Sequence, residues 1–158
     1  ADVRNVVAAA DLDIARVARL SAGVYVRGGH PVLAHPRLVA AALLPFGLAS
    51  VRVPDTVLLG MGALMGLEAG GRLPLAVECD DLNLLKTRAL TTDTVIACTD
   101  AGSVQDVAAK RLVRLQVVDV PAVFADMAIV SLKGRSYSPM ARFAVDFIHH
   151  QAREMAPD

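Results

Sequence analysis

A mixed α/β fold is predicted for this chain by three observations. Short apolar or β-branched runs alternate with segments of helical period, and clusters of Gly, Pro and Asp separate the two kinds. Of the 158 residues, 54% are hydrophobic, ample for the core of one ordinary domain or two small lobes. Strands that alternate with helices build a mostly parallel sheet with helices on its faces.

The elements follow in order. Val3 to Ala10 has helical character, and after a break at Asp11 the apolar run Leu12 to Val17 reads as a buried strand. Val24-Tyr-Val26 is a second short strand, ended by the turn-forming cluster Arg27-Gly-Gly-His-Pro31, and Leu38 to Leu44 reads as a short helix. Leu48 to Val53 alternates Ser50 and Arg52 with apolar neighbours, which suits a half-exposed strand stopping at Pro54-Asp55-Thr56. A helix is expected over Val57 to Glu68, stopped by Gly70-Gly71. Leu75 to Val77 is the next strand, and Asp80 or Asp81 caps a helix carrying Leu82, Leu84 and Leu85. Thr94 to Cys98 is a β-branched strand, Ser103 to Lys110 a helix, Leu112 to Val118 a strand and Met127 to Leu132 the last strand. The final helix has the best-defined start. The Ser138 hydroxyl can accept a hydrogen bond from a first-turn amide, and Pro139 sits where a missing N–H costs nothing. Met140, Phe143, Ala144, Phe147 and Ile148 then share one face.

Composition removes several function classes. Sixteen basic residues cancel sixteen acidic ones and no Lys/Arg cluster stands out, so this segment does not read as a grip on phosphate backbones. Arg, Asp or Pro interrupts the apolar stretches well short of the roughly 20 residues of a membrane span. No basic-then-apolar leader opens the chain, and because it starts at Ala1 the true N-terminus is expected upstream. Cys79 and Cys98 fit unpaired structural thiols in a reducing cytoplasm. His30, His35, His149 and His150 form no metal constellation; the last two diverge by about 100° on a helix. There is no Gly-x-Ser-x-Gly elbow, and Gly60-Met-Gly62 lacks the third glycine of a dinucleotide fingerprint. No catalytic residue, metal or cofactor is expected, and an enzyme is not the expected class.

Four motifs occur in a fixed order: Leu12-Asp-Ile-Ala15, Gly29-His-Pro31, Asp80-Asp81-Leu-Asn-Leu-Leu85, and Tyr137-Ser-Pro139 with its helix. Together they resemble the effector-binding domain of LysR-type bacterial transcription regulators, over essentially the whole chain. The resemblance implies a two-lobed α/β fold similar to type 2 periplasmic binding proteins, with a ligand cleft between the lobes and the first part of lobe I missing. Lobe I would comprise residues 1–18 and 122–158, and lobe II residues 19–121. Leu12 to Val17 and Met127 to Leu132 would then lie in one lobe's sheet and Leu48 to Val53 in the other's, with Ala18 to Gly23 crossing the hinge. The implied function is cytoplasmic sensing of a small-molecule effector, acidic or aromatic, by a homodimer or homotetramer. DNA would be bound through an N-terminal winged helix-turn-helix that has no counterpart in this chain, and no membrane partner is implied. A transporter's solute-binding protein of the same general fold is the alternative.

Within that frame the candidate effector residues are Arg19, Pro54, Asp55, Thr56 and Thr99. Pro54-Asp55-Thr56 lies between a strand end and a helix start, where α/β sheets bind ligands and helix amides can hold a carboxylate. Asp55 or Thr56 could equally serve only as a helix cap. Arg16 and Arg19 follow the Leu12-Asp-Ile-Ala15 strand, and an arginine fork there could pair with an acidic effector or simply face solvent. Thr99, Asp100 and Ser103 end one strand and open a helix, with Asp100 or Ser103 as a plain N-cap the simpler explanation.

Overall fold

The computed structural model of the chain describes residues 2, 3, 6 and 10–155, so the helix expected over Val3 to Ala10 falls largely outside the described residues. The chain divides into two compact units, Ala1–Ser21 with Phe124–Asp158, and Ala22–Val123.

The first strand, β1 (Leu12–Arg27), is a single run of 16 residues where the sequence predicts two strands and a connecting segment. Ser21, Ala22 and Gly23 have weak strand propensity, but partners override it. Ala22 pairs with Thr99, Gly23 with Cys98, Val24 with Ala97 and Tyr25 with Ile96 on an antiparallel neighbour. Because β1 continues from the first unit into the second, all the strands join one six-stranded sheet. The expectation that Leu12 to Val17 and Leu48 to Val53 occupy separate sheets is therefore corrected.

The larger unit is built on β2 (Leu48–Ser50), β3 (Leu75–Glu78), β4 (Val95–Thr99), β5 (Leu112–Arg114) and the second half of β1, in the order β3-β2-β4-β1-β5. β2 runs parallel to both β3 and β4, whereas β1 runs antiparallel to β4 and β5. Adjacent residues of each central strand serve different core clusters, as a two-residue side-chain period demands. Val26, Leu48 and Val95 pack with Val32, Leu43, Leu58 and Met65, on the side of helix α1 (Asp55–Leu64) and the short 3-10 segments Pro31–Ala34 and Ala40–Phe46. Tyr25, Ala49 and Ile96 pack with Leu85 and Ala89 of helix α2 (Leu82–Thr91). Both faces of the sheet are covered, which is why β4 reads as an unbroken apolar run.

Helix ends account for most differences from the sequence reading. α1 starts two residues earlier than expected and stops at Leu64, because Gly66 takes a left-handed φ of +76° ahead of Gly70-Gly71. Leu67 N–H then bonds the Gly62 carbonyl (3.0 Å) and Gly66 N–H the Ala63 carbonyl (3.1 Å), closing a Schellman motif. Of the two candidate caps for α2, Asp81 serves, accepting from the amides of Asn83 and Leu84, while Asp80 accepts from the Arg52 amide just past the end of β2. Helix α3 (Asp100–Ala108) begins three residues before expectation. His30 is buried: its Nδ1 accepts from the Val32 amide, which places the ring proton on Nε2, donating to the Asp93 carbonyl (2.8 Å).

In the smaller unit, β6 (Val123–Leu132) pairs with β1, and the Lys133 amide bonds the Asp11 carbonyl at 2.8 Å. Helix α4 (Pro139–Met155) starts as read from the sequence, with the Ala141 amide donating to the Ser138 hydroxyl at 3.2 Å. Ala152 on this helix is buried, and Met140, Phe143 and Phe147 are exposed. Among the described residues, no helix is long and apolar enough to cross a membrane.

Candidate functional site

Crossover topology singles out one place in the larger unit. α1 leads from β2 to its neighbour β3 on one side, whereas α3 leads from β4 to β5 on the opposite side of the sheet. β2 and β4 are adjacent and parallel, with Leu48, Ala49 and Ser50 opposite Val95, Ile96 and Ala97. Adjacent parallel strands whose connections depart in opposite directions leave a crevice at their carboxyl ends, the switch point at which such sheets take ligands. Pro54, Asp55 and Thr56 follow β2 there, and Thr99 closes β4.

Both helices that start at this edge lack a side-chain cap. Pro54 occupies the N-cap of α1 and Thr99 that of α3, and neither makes a side-chain capping hydrogen bond, in contrast to Asp81 on α2. Each helix N-terminus carries the partial positive charge of its macrodipole, and an acidic residue, Asp55 or Asp100, stands in each first turn. Asp55, Thr56, Asp100 and Ser103 thus stand within the first turns of the two helices and not at their N-cap positions. Asp55 is exposed, and its Oδ1 accepts from Arg72 Nε at 3.1 Å; Arg72 Nη2 reaches Glu78 at 3.7 Å, and Glu78 meets Arg52 at 3.7 Å. An exposed, paired Asp55 repels an incoming anion far less than a buried one would. Beside the Arg72 pair, a half-open cavity of about 310 Å³ is lined by Arg72, Leu73, Pro74, Leu75 and Glu78. Thr56 is exposed in the first turn.

Arg19 belongs to the other unit. It lies exposed on β1, with Nε 3.6 Å from Asp126 and its guanidinium 4.5 Å from the centre of the Phe124 ring, a cation–π distance. The structure therefore groups Pro54, Asp55, Thr56 and Thr99 at one sheet edge and describes Arg19 within its own unit.

Sequence reasoning missed the polar cluster behind Thr99. Tyr25, 1% exposed, donates its hydroxyl to Asp100 Oδ1; Arg114 Nε donates to the same oxygen at 3.1 Å, and Arg114 Nη2 to the Ala22 carbonyl at 3.4 Å. Burial, with Asp100 as acceptor, pushes the Tyr25 phenol up to about 12. The fully buried Ser103 donates back to the carbonyls of Thr99 and Asp100. These partners come from β1, α3 and β5, separated by up to 92 positions, so no local motif could have shown them. The neighbouring Cys98 is buried, and desolvation raises its thiol to about 11, which makes it an inert thiol at neutral pH. Among the described residues, no group of three or more His, Cys, Asp or Glu is placed to hold a metal ion.

No family model matches the chain. Over 146 residues, 89% of the chain, it is 30% identical to the SDS degradation transcriptional activation protein of Pseudomonas sp. (strain ATCC 19151), and it spans 46% of that relative's length. The fold matches the regulatory domain of CrgA, a LysR-type transcriptional regulator from Neisseria meningitidis, with a TM-score of 0.68 and 12% identity over 94% of this chain and 72% of that one. It also matches the regulatory domain of Synechocystis PCC6803 CcmR in complex with 2-PG, with a TM-score of 0.67 and 15% identity over 98% of this chain and 74% of that one. The chain has the α/β fold of the effector-binding domains of LysR-type transcription regulators, akin to that of periplasmic binding proteins.

Proposed function

We propose that this chain is the effector-binding and oligomerisation part of a cytoplasmic LysR-type transcription regulator, and that it binds a small organic anion without turning it over. The observation that carries the reading is the switch point between β2 and β4, where two helices with uncapped N-termini start at one sheet edge. Pro54, Asp55, Thr56 and Thr99 of the larger unit would surround the effector's acidic group. The division into lobe I (1–18 and 122–158) and lobe II (19–121) is part of the same reading. A relative that activates transcription, rather than one that carries solutes, favours a regulator over a transporter component. The 2-PG complex of the CcmR regulatory domain supports small-molecule sensing. In the full regulator, effector binding would shift the balance between two lobe arrangements and so the packing of subunits that carry the DNA-binding domains.

The test is a calorimetric screen of small organic acids and aromatic acids against the chain, followed by a DNA mobility-shift assay on the intact regulator. We expect at least one acid to bind saturably, to lose affinity in Thr56→Ala, and to alter the mobility pattern of the regulator on its operator. Binders whose affinity is untouched by changes at Thr56 and Thr99 would remove the proposed site, and a full-length protein that ignores DNA would remove the proposed function.

A further inference from the structure

Arg72, in the loop between α1 and β3, lies between two carboxylates: its Nε is 3.1 Å from Asp55 Oδ1 and its Nη2 3.7 Å from Glu78 Oε2. The second separation exceeds hydrogen-bond length, so that ion pair is loose and the outer edge of the half-exposed guanidinium fork has donors to spare. Arg72 and Glu78 both border the cavity of about 310 Å³, and Leu73, Pro74 and Leu75 complete its lining. That wall is held in place. Leu73 is buried and its amide bonds the Leu58 carbonyl at 3.1 Å, the Pro74 ring fixes φ, and Leu75 is paired with Leu48 on β2. Ligand pockets span about 300–1,000 Å³ and combine apolar walls with a few placed polar groups, so this one suits a small molecule at the lower end of that range.

We propose that this cavity takes a small zwitterion with an apolar side chain, an α-amino acid of about leucine size. Its carboxylate meets the Arg72 fork, its ammonium meets Glu78, and its side chain lies along the wall from Leu73 to Leu75. Local charge selects the zwitterion. A ligand with a carboxylate alone draws Arg72 from Asp55 and Glu78 and leaves those two groups short of their shared cation. A ligand with an ammonium alone competes with Arg72 and Arg52 for Glu78. A zwitterion laid beside the loose Arg72–Glu78 pair gives each side chain a charge-assisted partner and leaves the net charge of the cluster unchanged. None of the five lining residues is among Pro54, Asp55, Thr56 and Thr99, so the proposal stands apart from the effector reading.

The experiment titrates the chain with probes of nearly the same shape: L-leucine, isocaproate, which lacks the ammonium, and isopentylamine, which lacks the carboxylate. Nuclear magnetic resonance follows the Leu73 and Leu75 amides in the wild type, Arg72→Gln and Glu78→Gln, and thermal melting confirms that each variant is folded. L-Leucine should shift both amides saturably, and each singly charged probe should bind about tenfold more weakly, the loss of one charge-assisted contact. Arg72→Gln should weaken leucine binding by about the same factor. Glu78→Gln should weaken leucine binding and strengthen isocaproate binding, because the repelling carboxylate is gone while Arg72 remains. Three results would overturn the proposal: no saturable shift with L-leucine, isocaproate bound as tightly as leucine by the wild type, or leucine bound equally well by Arg72→Gln.

Discussion

Replacing Asp106 with Asn should lower stability more than any other single charge removal among the described residues. The Asp106 side chain is 4% exposed, Lys86 Nζ lies 2.6 Å from Oδ2 and Arg111 Nη2 2.5 Å from Oδ1, with Arg111 Nε adding a contact at 3.0 Å. The triad ties α3 to α2 and to the start of β5. Breaking a buried pair by removing one partner costs about 3–5 kcal/mol. That range falls here to about 2–3 kcal/mol, because the amide oxygen of Asn still accepts one bond and the half-exposed Arg111 can rehydrate. For a chain of this length the midpoint should drop by roughly 5–10 °C. The pH dependence adds a signature. Hydrogen bonds from Lys86 and Arg111 hold the Asp106 carboxyl below its ordinary value of 3.8, so the unfolded chain takes up the proton first as pH falls. The stabilisation is fully present above that ordinary value and is lost as pH drops through the lower, folded-state one. Differential scanning calorimetry between pH 7 and pH 3 should show a steep acid limb for wild type and a shallower one for Asp106→Asn, with Lys86→Met/Asp106→Asn recovering part of the loss. A midpoint within about 1 °C of wild type, the behaviour of a surface pair, would refute the reasoning.

Three further outcomes are expected. Thr56→Ala and Thr56→Val should weaken effector binding by about 0.5–1.5 kcal/mol in calorimetry while leaving the melting midpoint in place, since Thr56 is exposed and is not the cap of α1; the opposite pattern would make it a structural residue only. Gly62→Ala should cost about 2–3 kcal/mol in urea unfolding, because its Cβ would sit 2.4 Å from the Gly71 carbonyl oxygen, a backbone atom that cannot move without opening the loop after α1; a loss below about 0.5 kcal/mol would show that the loop yields freely. His30→Ala should cost about 2–4 kcal/mol, because it strands the Val32 amide and the Asp93 carbonyl and removes the edge-to-face contact with Phe46, whose ring centre is 4.7 Å away; an unchanged urea midpoint would show that water replaces both bonds.

Which parts of the fold are legible in the sequence follows from where their determinants lie. The start of α4 depends on Ser138 and Pro139, a few neighbouring residues, and the structure places it there. β4 is defined by its own β-branched run and is found one residue from the expected bounds. β1 does not read as one strand because the determinants of Ala22 and Gly23 are distant: both pair with β4, and Gly23, which looks like a break in the sequence, is instead the space for the Arg114 guanidinium from β5. The end of α1 is hard to place for a local reason. Several glycines follow in turn, and the helix stops at the first that meets a Schellman geometry.

The candidate site shows the same division, sharpened by chemistry. A strand-turn-helix boundary is a local pattern, so Pro54-Asp55-Thr56 and Thr99 could be named from sequence; that β2 and β4 are neighbours with opposite crossovers is a property of strand order, which only the structure gives. Charge is subtler still. Counted along the sequence, Asp55 and Asp100 put a negative residue at the start of both helices, which argues against an anionic ligand. In three dimensions Arg72 pairs with one carboxylate and Tyr25 with Arg114 bond the other, each through side chains from different elements. Like-charge repulsion depends on where a carboxylate points and what neutralises it, so the polarity of this edge is set by the partners of Asp55 and Asp100 rather than by their presence.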